Sequence, residues 1–88
     1  MKMRHAIGAV IREERHEQKM TLRNLSAKAH IALGYISEVE RGSKDISSEL
    51  LERVAYGLEI EVSDILVRAS DIMTFSSITA RIPVTNSL

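Results

Sequence analysis

Up to about Asp71 the apolar residues recur at steps of three and four, the period of an α-helix, with only four glycines as breaks; the single proline, Pro83, comes later. Ile7, Val10 and Ile11 predict a first helix from Met3 to Lys19, with Arg12, Glu13, Arg15, Glu17 and Lys19 mostly on its wet face. Leu22, Leu25 and Ala29 predict a second, capped by the Thr21 hydroxyl. In a third, Ile36 and Val39 point inward with Ile31 just ahead of them, and Gly42 suits a left-handed C-cap. Leu50, Leu51, Val54, Ala55 and Leu58 form a fourth, opened by Ser47 and Glu49. A fifth runs from Ile65 to about Ile72 behind Ser63-Asp64, with Ile65 and Leu66 inward. From Thr74 the period changes to two: Ile78, Ala80, Ile82 and Val84 alternate with Thr79, Arg81, Pro83 and Thr85, as in a strand that Pro83 confines to an edge. The expectation is an all-α, compact five-helix bundle over residues 1–72 and a C-terminal tail over 73–88, either a dimerisation element or a loose end.

The second and third helices are joined by His30-Ile31-Ala32 alone, the arithmetic of a helix-turn-helix. Such a corner usually needs one residue at positive φ, which His tolerates better than most non-glycine residues, and His30 stands there. Leu33, Gly34, Ser37, Glu38 and Arg41 fall on the outer side of the third helix, a set with too little charge in its first turn for a face that needs only water.

Composition narrows the function. Eighty-eight residues suit one small domain without a large buried cleft. The absence of cysteine leaves neither disulfide nor thiolate metal site and suits a reducing compartment, and no apolar run approaches the roughly 20 residues of a membrane span. A cytoplasmic protein without membrane partner is expected. The net charge is zero, but it is polarised: nine Lys/Arg against five acids lie in Met1–Lys44, and three against seven in Asp45–Leu88. That arrangement suits a basic face on an acidic back. Enzymatic readings fail: His5 and His16 are too far apart on one helix to share a metal, Glu13 and Glu14 diverge as solvated neighbours, and no catalytic motif occurs. No catalytic residue, metal or cofactor is expected.

From Thr21 to Gly42 the sequence, TLRNLSAKAHIALGYISEVERG, resembles the Cro/phage-repressor (Xre) family of bacterial helix-turn-helix regulators, and the likeness continues through Ser47 to Leu66. Within that family LGYISEVERGSKDISSELL looks most like the regulators of Clp protease genes. The resemblance implies a lambda-repressor-like fold, a homodimer on a pseudo-palindromic double-stranded DNA operator, and activation of Clp protease genes, with RNA polymerase and Clp protease as further partners. It also places an ion pair between Arg15 and Glu40. Three positions depart from the family: Leu22 stands where many members have Gln, His30 where Gly is usual, and Ala32 where Ser often caps.

Groove geometry assigns the rest. A helix in the major groove reads bases with its N-terminal turns, so Leu33 is expected against a thymine methyl and Gly34 at the close approach. Ser37 is a donor or acceptor, and Glu38 an acceptor from cytosine N4, or else a solvated helix residue. Thr21, Arg23, Tyr35, Ser43 and Lys44 are expected on phosphates; Arg41 fits either a phosphate or the negative end of its own helix. Ile72, Met73, Phe75 and Ile78 are the candidate dimer interface. Two alternatives remain at this level: an antitoxin whose tail wraps a toxin, and a protein-interaction bundle without DNA. A degradation tag at Asn86-Ser87-Leu88 is a further expectation.

Overall fold

The computed structural model describes residues 1–81, the last three by their backbone alone. Five helices follow one another: α1 (Met3–Glu17), α2 (Leu22–Ala29), α3 (Leu33–Glu40), α4 (Ser48–Leu58) and α5 (Val62–Arg81), with no strand among the described residues. One core joins them all. Ile7, Val10 and Ile11 meet Leu25, Ile36, Val39, Val54, Leu58 and Ile65, each nearly or fully buried. α1 packs most extensively on α5 and α3, while α2 lies between α3 and α4.

The corners obey the local chemistry. Thr21 Oγ1 accepts from the Asn24 backbone N–H at 3.0 Å and Asn24 Oδ1 accepts from the Thr21 N–H at 3.3 Å, a reciprocal cap. His30 ends α2 in the left-handed region at φ 58° and ψ 48°, as the missing glycine requires. Gly42 has φ +77° after α3, and Ser47 accepts from the Leu50 N–H at 3.2 Å to open α4. Gly8 answers a different need: a Cβ on it would lie 2.2 Å from the Val39 carbonyl oxygen, so only glycine lets α1 and α3 approach this closely.

Three expectations change. α5 starts at Val62, so Ser63 and Asp64 fall inside its first turn; the helix is opened by the Glu61 carbonyl, which accepts from the Asp64 N–H at 3.0 Å. Leu66 is 44% exposed rather than inward, because Ile65 and Ala69 already occupy the buried stripe. The helix also runs on through the Thr74–Arg81 stretch, where alternation suggested a strand. Its stripe of Ile65, Ala69, Ile72 and Met73 keeps helical spacing against the core, and Ser76 continues it half-buried. The apolar alternation at Ile78 and Ala80 therefore lies along a helix. Residues 82–88, including the rest of that alternation and the Asn86-Ser87-Leu88 end, lie outside the described residues.

Glu13 and Glu14 do not behave as free neighbours. Arg68 of α5 donates to Glu14 Oε1 at 2.7 Å and to Glu13 Oε1 at 3.2 Å, fastening α5 to α1. Gln18 donates to Glu14 Oε2 at 2.9 Å and to the Leu58 carbonyl at 2.7 Å, which brings in the end of α4. The Gln18 amide first, and the Arg68 guanidinium next, hold the Glu14 carboxyl below the ordinary glutamate range. A carboxylate favoured in the folded state stabilises the fold above its unfolded pKa, about 4.3, and loses that contribution as pH falls through the lower folded value. Thermal melts of Glu14→Gln should thus show a lower Tm than wild type at pH 7 and a smaller further drop between pH 5 and 3. An acid-induced drop equal to that of wild type would refute the assignment.

Candidate nucleic-acid interface

α3 is held from behind and bare in front. Ile36 and Val39 are buried, whereas Gly34 is exposed and a Cβ on it would meet no atom within 4 Å. Leu33 is 37% exposed, an aliphatic side chain left at the start of the helix, and Ser37 and Glu38 are half-exposed on the following turn. The expected outward set therefore shares one open face. Ala32 precedes α3 with extended ψ and makes no side-chain cap; its carbonyl accepts from the Tyr35 and Ile36 N–H groups at 3.1 Å, which leaves the Leu33 and Gly34 N–H groups without a partner among the described residues.

The C-terminal end of α3 is anchored by an ion pair. Arg15 donates from Nε to Glu40 Oε2 at 2.7 Å and from Nη2 to Glu40 Oε1 at 2.9 Å, and its Nη1 reaches the Met20 carbonyl at 2.9 Å. Both side chains are at most one-tenth exposed. This fork, rather than an isolated charge pair, satisfies the guanidinium on three sides and fixes α3 against α1 and the corner before α2. The hydrogen bonds to Glu40 raise the pKa of Arg15 further above its already high value. The turn itself is braced from α4, where Arg53 donates to the His30 carbonyl at 3.3 Å; sequence patterning carried no sign of this long-range contact.

Around the open face the remaining expected residues have mixed employment. Arg23 is exposed and makes no ion pair among the described residues. Thr21 sits at the start of α2, but its hydroxyl already serves as the cap acceptor. The Tyr35 hydroxyl donates to the Asp45 carbonyl at 2.9 Å, pinning the loop after α3, and the Lys44 ammonium sits 5.9 Å from the Tyr35 ring centre. Lys44 also approaches Glu38 Oε1 at 3.5 Å. Ser43 donates its hydroxyl to the Glu38 carbonyl at 3.1 Å, and Arg41 donates to the Ser37 hydroxyl at 2.8 Å. These pairs are exposed, and an exposed ion pair contributes about 0–1 kcal/mol, so they are cheap to exchange for another partner.

The four dimer candidates divide. Ile72 and Met73 are half-buried against the core, while Phe75 is 71% and Ile78 47% exposed. Val67 is exposed on the same side of α5 as Phe75 and Ile78, and Leu66, Met73 and Ile78 line an apolar groove of about 620 Å³ with Met3 and Ile7 of α1. Leu66 was expected inward and Val67 was not singled out, because periodicity alone did not show that Ile65 and Ala69 fill the buried stripe and leave both neighbours outside.

A capped α2, a left-handed corner and a bare α3 are the parts of a helix-turn-helix, and the sequence matches the helix-turn-helix family model over residues 11–65. The protein belongs to the Xre-type helix-turn-helix family of transcription regulators. It is similar to the transcriptional regulator ClgR of Mycobacterium tuberculosis (strain ATCC 25618 / H37Rv), with 42% identity over 71 residues, 81% of this chain and 63% of that protein. The chain thus spans somewhat under two thirds of the length of that relative. It also superposes on the crystal structure of the clp gene regulator ClgR from Corynebacterium glutamicum with a TM-score of 0.86 and 38% identity, covering 91% of this chain and 85% of that one. The wild-type restriction-modification controller protein C.Esp1396I follows the same fold, with a TM-score of 0.77, 26% identity and coverage of 84% and 96%. No helix among the described residues is long and apolar enough to cross a membrane.

Removing half of the buried fork should be costly. Glu40→Ala leaves the Arg15 guanidinium buried without its counter-charge and should destabilise the protein by about 3–5 kcal/mol, whereas Arg15→Met combined with Glu40→Leu should recover much of that loss. Urea unfolding of the two variants distinguishes them; a double variant no more stable than Glu40→Ala would contradict the account.

Proposed function

We propose that the protein is a sequence-specific double-stranded DNA-binding regulator that inserts the 33–41 segment into the major groove and controls Clp protease genes. The observation that carries this reading is the face of α3: Leu33, Gly34, Ser37 and Glu38 point away from a core that needs nothing from them. The likeness to clp gene regulators supports the choice of target genes, and activation through RNA polymerase belongs to the same reading. Leu33 meets a thymine methyl, Gly34 lets the backbone approach, Ser37 bonds a base edge, and Glu38 accepts from cytosine N4. Arg23, Arg41, Ser43 and Lys44, with the N-terminus of α2 at Thr21 and the pinned loop beside Tyr35, take the flanking phosphates.

The Glu38–Lys44 approach couples the two tasks. In the free protein the pair neutralises itself; on DNA the carboxylate turns to a base and the ammonium to a phosphate, each finding a partner as it leaves the other. Glu38→Ala should relax preference at one base position of the selected site by about 1–3 kcal/mol, while Lys44→Ala should weaken binding to all sequences alike. Selection of bound fragments from random duplex, followed by affinity measurements on the winners, reads both; the reverse pattern would overturn the assignment.

One module contacts few base pairs, so useful selectivity calls for two copies on half-sites about one helical turn apart. The exposed apolar outer stripe of α5, Val67, Phe75 and Ile78, is the surface proposed to join them, with Ile72 and Met73 supporting it from beneath. Phe75→Glu with Ile78→Glu should yield a monomer by sedimentation velocity, with an unchanged helical circular dichroism spectrum. A dimer of wild-type strength would exclude this surface.

A further inference from the structure

The first turn of α1 lies against the loop that leaves α3. His5 fills the space beside Gly42, where a Cβ would come within 2.1 Å of its ring. Arg4 reaches across to Asp45 at 3.5 Å, and both line a small cleft of about 210 Å³ with Met3, Ile7, Val39 and Lys44. Lys2 is the exposed N-cap of α1 and makes no ion pair among the described residues. Arg4 and Lys44 therefore share one cleft at the C-terminal end of α3, although they stand forty positions apart in sequence, and Lys2 is exposed two residues ahead of Arg4.

Arg4 is poorly served where it rests. Its approach to Asp45 is long for a charge-assisted hydrogen bond, which favours roughly 2.7–2.9 Å, and the Asp45 carboxylate is 80% exposed. Its Nε is buried with no hydrogen-bond partner among the described residues. Arg15 shows the contrast, since all three of its nitrogens are engaged. A guanidinium presents a planar fork that matches two phosphate oxygens at once, so Arg4 has a better acceptor geometry open to it than the one it uses. Asp45 matters as well: it follows Lys44 on the loop proposed to face phosphate, and an uncompensated carboxylate there would repel the duplex.

We propose that Lys2 and Arg4, together with Lys44, form a phosphate-binding rim for the DNA backbone beside the C-terminal end of α3, with Asp45 as the resting partner that Arg4 leaves for a phosphate. This rests on the DNA-binding reading above. The Tyr35 hydroxyl, bonded to the Asp45 carbonyl, holds the loop in place while the side-chain partners change.

The salt dependence of binding to a random-sequence duplex, read by fluorescence anisotropy, tests the rim. Arg4→Ala and Lys2→Ala should each flatten the log–log salt slope by about 0.9, as Lys44→Ala should, and should weaken binding by the same factor on every sequence. Asp45→Asn should leave the slope of the wild type and bind no more weakly. If Lys44→Ala flattens the slope but Arg4→Ala does not, and Asp45→Asn restores the affinity that Arg4→Ala loses, Arg4 merely balances Asp45 and the rim is wrong. A wild-type slope for Lys2→Ala removes Lys2 from it. Wild-type protein without salt-dependent duplex binding would instead overturn the DNA-binding reading, and the rim with it.

Discussion

A guanidinium buried between two helices is tolerable only when its hydrogen bonds are met, and the Arg15–Glu40 fork is the constraint around which the working face is organised. It ties the last turn of α3 to α1 and, through the Met20 carbonyl, to the corner that starts α2. With Glu40 spent on that anchor and Ile36 and Val39 on the core, the other side of the helix carries no structural duty. Rigidity behind is what permits openness in front. A short helix of eight residues has little stability of its own, so without such anchoring its outward side chains would have no fixed register.

Much of this was legible in the chain. Helical periodicity identified the five helices, and the one-residue demands of corners placed Thr21, His30, Gly42 and Ser47 correctly. The outward set of α3 followed from subtraction, once Ile36 and Val39 were given to the core. What failed were inferences that needed partners distant in sequence. Glu13 and Glu14 look solvated until Arg68, more than fifty residues on, is brought across them. The beginning and end of α5 were misjudged because Ser63-Asp64 is good capping chemistry wherever it falls, and because a run poor in charge can alternate and still be helical. Arg53 and the Gly8 approach are likewise tertiary facts without a local signature.

The polarised charge gains a spatial meaning from the same contacts. Several acids of the second half are occupied internally: Asp45 with Arg4, Glu49 with Arg53, and Glu59 with Lys28. Arg23 and Lys2, by contrast, have no ion-pair partner among the described residues. Zero net charge is thus compatible with a locally cationic border, because neutralisation is uneven across the surface rather than uniform.

α5 spans 20 residues, a rod about 30 Å long at 1.5 Å per residue. Its first half is clamped by Ile65, Ala69 and Arg68, whereas its second half keeps Ile72 and Met73 on the core and turns Phe75 outward. α1, to which Arg68 fastens α5, is the same helix that grips α3 through Arg15. The candidate joining surface and the open face are thus carried by two helices that share a single common support, each fastened to it by one arginine.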